Sequence, residues 1–148
     1  MFSDFAERYG VSLHCQSGGD LGERMYQAVR EGLTRCRRLV MVGADCPSLD
    51  RGYVTAALAA LDRHHAVLGP AEDGGYVLLG LKQALPALFA DIPWGSGAVA
   101  RLTRERMAAL NWTWAELPVL WDLDRPEDLR RYRTLRQVKS RSGKVAER

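Results

Sequence analysis

The segment "LVMVGADCPSLD" (residues 39–50) runs from a continuous apolar stretch straight into an acid, a cysteine and a proline. Leu39 to Val42, closed by Gly43, has the composition of a short strand buried on both faces of a sheet. In open α/β sheets, ligands bind just outside the carboxyl ends of the strands. An acid at the tip of such a strand, Asp45, therefore has two readings. Either it opens a turn together with Pro47, or it presents a carboxylate to a cation or a substrate.

Outward from this strand, the pattern alternates. Upstream, residues 3–9 look like the end of a helix and "VSLHCQ" (11–16) like a short strand. Asp20 and Glu23 form a capping-box pattern for a helix with Leu21, Met25, Ala28, Val29 and Leu33 on one face. Downstream, Asp50 can cap a helix whose inward stripe is Val54, Leu58 and Leu61. "HAVLGP" (65–70) and "YVLLGL" (76–81) read as strands separated by the loop "AEDGG". Helical patterns return near 84–89 and over 97–110, "WTWAEL" (112–117) alternates like a strand, and Pro126 begins a last helix at its first turn. Strands alternating with helices predict an α/β fold of three αβα layers around a mostly parallel, Rossmann-like sheet. With no internal repeat or linker, residues 1–138 form one domain, followed by a basic, flexible tail at 139–148.

Composition narrows the function classes. The chain has 148 residues, 47% hydrophobic and 26% charged, as in an ordinary soluble globular protein. Its net charge of +3 is misleading, because the residues from Arg130 onward contain eight Lys/Arg and one Glu. The body before them is mildly acidic. The tail carries one aromatic residue and no recognition motif, so nucleic-acid binding is not expected. No apolar run suits a membrane span and no signal-peptide pattern is recognised. Three cysteines without CxxC spacing suggest neither a disulfide framework nor a zinc site, and a reduced, cytoplasmic setting is expected. Cys46 beside Asp45 is a poor nucleophile, since a carboxylate disfavours the thiolate.

Further acids extend the pattern set by Asp45. In "LWDLDRPEDL", Asp122 and Asp124 are two residues apart, so in an extended segment both carboxylates face the same way. Oxygen ligands of this kind suit Mg²⁺ or Mn²⁺, with phosphate oxygens completing the shell. The alternative is that both serve the start of a helix, as Glu127 and Asp128 do for its dipole. The D-x-D spacing also occurs in haloacid-dehalogenase phosphatases, but its position near the C-terminus and the Arg125–Pro126 context argue against them. In "GPAEDGGYVLLGL", Gly74 and Gly75 either let a backbone approach a ligand beside Asp73 or supply positive φ to a tight hairpin-like turn.

Taken together, "QSGGDLGERM", "VGADCPSL", "GPAEDGGYVLLGL", "IPWGSGAVARLT" and "WDLDRPEDL" resemble small bacterial GT-A-like glycosyltransferases associated with arsenosugar biosynthesis, from about Gln16 to Leu129. These are relatives of guanylyl- and cytidylyltransferases within the nucleotide-diphospho-sugar transferase superfamily. The resemblance implies metal-dependent transfer of a sugar from a nucleotide-diphosphate donor to a small acceptor. It implies Asp45, Asp122 and Asp124 as ligands of Mg²⁺ or Mn²⁺. Asp73 corresponds to a position near the sugar or acceptor, where we read it as the base, with Gly74, Gly75 and Tyr76 beside the substrate. Two departures stand out. Arg125 replaces the usual Thr, which leaves Asp124 to cap the helix or bind metal. The opening strand and the Lys/Arg-bearing loop that grips the nucleotide have no counterpart, so the fold is expected to be N-terminally truncated, with open sheet edges, and to form a homo-oligomer. Two alternatives follow: a nucleotidylyltransferase acting on a phosphorylated small molecule, and a non-catalytic binding or assembly protein that keeps the fold.

Overall fold

The computed structural model describes residues 2–123 and 126–145. The elements run α1 (Phe2–Tyr9), α2 (Leu21–Leu33), β1 (Leu39–Val42), α3 (Arg51–Ala60), β2 (Ala66–Pro70), β3 (Tyr76–Leu81), a 3-10 turn (Pro86–Leu88), α4 (Val99–Ala109), β4 (Trp114–Glu116) and α5 (Pro126–Val145). The four strands form one sheet in the order β1-β3-β2-β4.

The sheet is mixed, which corrects the expectation of a mostly parallel one. β3 runs antiparallel to both neighbours, with Leu39 opposite Leu81 on one side and Leu68 opposite Leu79 on the other. Only β2 and β4 pair in parallel. The cause is the length of the connections. The five residues Ala71–Gly75 can only turn the chain back on itself, whereas a parallel connection needs a crossover of a dozen residues or more. One consequence positions the site: β1, β2 and β4 all point the same way, so the segments that follow them emerge at one end of the sheet. β3 begins at that same end with Tyr76.

Alternation along β2 and β3 divides the core into two layers. Leu68 and Leu79 pack with Val29 of α2 and with Ala100 and Met107 of α4. Val67 and Leu78 face the other way, against Ala57 of α3 and Leu61 just after it. Helices thus cover both faces, and the two central strands are buried throughout apart from half-buried Tyr76. The inward face of α3 is turned from the expected stripe. Tyr53, Ala57 and Ala60 meet the sheet cluster, and Val54 and Leu58 are only half-buried.

Two further expectations fail. Residues 11–17 belong to no strand: the Val11–Leu13 alternation is present, but both side chains are more than half exposed and, among the described residues, no strand lies alongside to pair with. The helical pattern at 84–89 shrinks to the single turn after Leu85.

The helix starts agree with their capping residues. Asp20 Oδ1 accepts from the Glu23 N–H at 2.7 Å, while Glu23 Oε2 accepts from the Gly19 N–H at 2.8 Å. Asp50 Oδ1 accepts from the Tyr53 N–H at 2.9 Å. Replacing Asp20 with alanine strands an N–H at the start of α2, and the expected loss is about 1 kcal/mol in urea unfolding. An unchanged midpoint would show that α2 is held by packing alone.

Candidate active site

Three connections converge at the common strand end. The β2–β3 turn (71–75) is internally fixed: the Ala71 N–H donates to Gly75 O at 3.0 Å and the Gly75 N–H to Asp73 Oδ1 at 2.8 Å. The segment after β4 runs beside it, with the Leu120 N–H on Pro70 O and the Glu72 N–H on Leu120 O, both 3.0 Å. The same segment reaches the loop after β1, where the Leu123 N–H donates to Asp45 O at 3.0 Å. Tyr53 anchors the segment from below by donating its hydroxyl to Pro118 O at 2.8 Å. Burial, and secondarily the neighbouring Cys46, push the Tyr53 pKa up to about 12, so it remains a donor at any physiological pH.

The start of α4 completes the end wall. No side chain caps α4. Instead Gly74 O accepts from the Ala100 N–H at 2.9 Å. Gly74 has φ +90°, and a Cβ there would lie 2.2 Å from Gly97 O. Two glycine-bearing loops therefore touch backbone to backbone, and that contact fixes Asp73 against α4.

Between these parts lies a cavity of about 480 Å³ walled by Glu72, Asp73, Ser96, Trp121, Asp122 and Asp128. Glu72 is tied to α5 through a two-pronged pair with Arg131, at 2.8 and 2.9 Å. The Arg131 guanidinium also lies over the Trp121 ring, 4.6 Å from its centre. Hydrogen bonding from Arg131 lowers the Glu72 pKa, and Glu72 in turn raises that of Arg131. Both are exposed, so this pair is weakened by salt.

A second cavity of about 330 Å³ adjoins the first and shares Asp73, Gly95 and Ser96 with it. Its lining is largely apolar, including Met25, Met41, Val42, Tyr76 and Trp94. Tyr76 and Trp94 meet edge to face, with ring centres 6.5 Å apart. Burial pushes the Tyr76 pKa well above its ordinary value, opposed by a hydrogen bond to Thr103.

The residues singled out in the sequence divide as follows. Asp73 and Asp122 share the acidic cavity, and Gly75 and Tyr76 line the apolar one. Gly74 acts through the backbone contact just described. Asp45 is exposed beyond β1 and touches the site by its carbonyl, while its carboxylate is absent from the lining of both cavities. Asp124 lies outside the described residues. Glu72, Ser96, Trp121 and Trp94 were missed. Asp128, assigned to the helix dipole, also lines the cavity. The Trp and paired Gly of "IPWGSG" were the available signal for this second wall, whereas nothing local in sequence joins Glu72 to Arg131.

The donor set consists of carboxylates, the chemistry that a hard divalent cation takes. Among the described residues no three His, Cys, Asp or Glu side chains are grouped so as to hold a metal ion by themselves. The fit is therefore one of donor type only, from Glu72, Asp73, Asp122 and Asp128 on the cavity wall.

On the sheet's outer side, Arg104 of α4 grips Glu116 of β4 with bonds of 2.6 and 2.9 Å. This hydrogen bonding lowers the Glu116 pKa, against a smaller desolvation effect. A depressed folded-state pKa adds stability above the unfolded value, and that stability is lost as pH falls through the folded value. For so exposed a pair the expected contribution is at most about 1 kcal/mol. Glu116→Gln should therefore be less stable than the parent at pH 7 and equal to it once Glu116 is protonated. A difference that persists in acid would contradict this.

The mixed sheet with helices on both faces is of the nucleotide-diphospho-sugar transferase type, on the similarity to one solved structure. A crystal structure from Desulfovibrio desulfuricans G20, described as a candidate nucleotide-diphospho-sugar transferase, is similar with 33% identity and a TM-score of 0.73. The match covers 84% of this chain and 56% of that one, so the chain spans little more than half the length of this relative. The chain belongs to the family described as "Uncharacterized protein conserved in bacteria (DUF2064)", whose model matches residues 2–96. No curated protein matches it. Among the described residues no helix is long and apolar enough to cross a membrane.

Proposed function

We propose that the protein transfers a sugar from a nucleotide-diphosphate donor to the hydroxyl of a small acceptor, as a GT-A-type glycosyltransferase assisted by Mg²⁺ or Mn²⁺. One observation carries this reading: the connections bearing Asp45, Asp73 and Asp122 leave the sheet at the same end and are bonded to one another there. The class of the similar structure supports it.

In this reading Asp122 would hold the cation together with Asp124, and with Asp45 from the adjoining loop although its carboxylate lies outside the cavity lining; the cation would supply positive charge to the departing diphosphate. Asp73 takes the proton. Its carboxylate is oriented by the Gly75 N–H on Oδ1, which is the preorganisation that a general base needs. The acceptor oxygen bonds to the anomeric carbon as the bond from that carbon to the phosphate oxygen breaks. The electron pair leaves with the nucleoside diphosphate, and the acceptor proton passes to Asp73. The narrower link to arsenosugar chemistry, and assembly as a homo-oligomer, belong to the same proposal.

Product analysis tests it. Incubation with nucleotide-sugars, Mn²⁺ and a mixed alcohol acceptor pool should release a nucleoside diphosphate. Pyrophosphate release from a nucleoside triphosphate would instead identify a nucleotidylyltransferase.

A further inference from the structure

We infer that the apolar cavity beside Asp73 is the acceptor compartment, and that the acceptor is an uncharged alcohol carrying an apolar ring or chain, not a phosphorylated molecule. This rests on the sugar-transfer reading, which it deepens by naming the substrate class.

The two cavities share Asp73, Gly95 and Ser96 and differ in character on either side of that wall. One side is carboxylate-rich. The other is built from Met25, Met41, Val42, Tyr76 and Trp94. A molecule whose apolar part fills the second compartment meets Asp73 at its edge, where a hydroxyl would be deprotonated. The volume of about 330 Å³ suits a small organic ligand. The edge-to-face Tyr76–Trp94 pair gives it a stiff aromatic side.

Among the described residues, no Lys or Arg lines either cavity. Apart from a divalent cation, which the sugar-transfer reading assigns to the acidic side for the donor diphosphate, a phosphate monoester is held by Arg, Lys or free helix-start amides. Two helices do begin at the apolar cavity, at Leu21 and Val99. Of their first-turn amides, that of Glu23 is on Asp20 Oδ1, that of Arg24 on Asp20 O and that of Ala100 on Gly74 O. Asp20 and Asp73 add negative charge at the same places. A phosphorylated acceptor would meet repulsion from these carboxylates with no Lys or Arg on the lining to offset it, whereas an uncharged alcohol would not.

The test uses 2-phenylethanol as the probe and glycerol 3-phosphate as the charged comparison, with binding followed by tryptophan emission. Three proteins are needed: the full chain, Trp94→Phe to identify the reporter, and Val42→Glu. Val42 is 45% exposed on an edge strand, so glutamate is tolerated by the fold while placing charge at the cavity mouth. The expected result is saturable binding of 2-phenylethanol, an emission change that disappears in Trp94→Phe, and affinity at least tenfold weaker in Val42→Glu. Glycerol 3-phosphate should give no change. Absence of 2-phenylethanol binding, indifference to Val42→Glu, or binding of glycerol 3-phosphate would overturn the inference. A separate titration with nucleotide-sugars and Mn²⁺ keeps the two readings apart. If donor binds and 2-phenylethanol does not, only the acceptor class is wrong. If 2-phenylethanol binds in the Val42-sensitive way and no donor does, sugar transfer fails and the apolar site stands.

Discussion

Gly74→Ala is expected to lower folding stability by about 3 kcal/mol, the largest loss from adding a single carbon anywhere in the site. Two effects combine. The backbone at Gly74 has φ +90°, where an L side chain is strained by about 1–2 kcal/mol, and the new Cβ would sit 2.2 Å from Gly97 O. Gly95 separates the two effects. It has φ +81°, but a Cβ added there would meet nothing within 4 Å, so Gly95→Ala should show the strain alone, about 1 kcal/mol. Urea unfolding of both variants measures the difference. Relief of the clash requires the 72–75 turn to move off α4, which takes Asp73 with it and removes the acceptor for the Ala100 N–H. Equal losses in the two variants would mean that the loops do not meet as described.

Asp73→Asn should leave the fold intact and lower the rate of transfer by roughly 10²–10⁴-fold, the usual worth of a positioned general base. Asparagine is nearly isosteric, and its amide oxygen can still accept from the Gly75 N–H, so the turn is kept. What is lost is the ability to take a proton. Donor affinity should change little, because the residues assigned to the cation that would bind the diphosphate are Asp122, Asp124 and Asp45. Nucleoside diphosphate release under saturating donor, compared with unfolding midpoints, checks both halves. Full activity in Asp73→Asn would move the base elsewhere in the acidic cavity, with Glu72 and Asp128 the next groups on its wall.

Much of this architecture is written locally in the chain. The strands at 39–42, 66–70, 76–81 and 114–116 follow their apolar and alternating runs, and Asp20 and Asp50 cap the helices their positions announce. Local pattern fails where partners decide. "VSLHCQ" alternates like a strand, yet a strand exists only with a neighbour, and among the described residues none lies beside it. Strand position and direction fail for a related reason: the apolar run of β1 reads as buried on both faces, yet β1 is an edge strand that is only partly buried, and only the short Ala71–Gly75 turn says that β3 runs backward. The hairpin reading of the two glycines was therefore the stronger guide. At the sheet end, the glycine pair draws attention to Asp73 and the D-x-D spacing to Asp122, and both line the acidic cavity, whereas Asp45, read from its place at a strand end, has its carboxylate outside it. Glu72 with Arg131 escapes, since the two are joined only by how α5 lies across the sheet end. Trp94 escapes because a lone tryptophan in a glycine-bearing loop looks the same in sequence whether it fills a core or walls a cavity.

The central claim is that a nucleotide-sugar and a divalent cation bind together at the sheet end through Asp122. The most direct measurement is thermal unfolding with UDP-, GDP-, CDP- and dTDP-glucose, each with and without Mn²⁺, in the parent chain and in Asp122→Asn. A ligand that binds only the folded state stabilises it by mass action, about 2.7 kcal/mol at one hundred times its Kd. The account predicts stabilisation by one nucleotide that requires Mn²⁺ and disappears in Asp122→Asn. No shift with any donor, or a shift that needs no metal and survives Asp122→Asn, would contradict it.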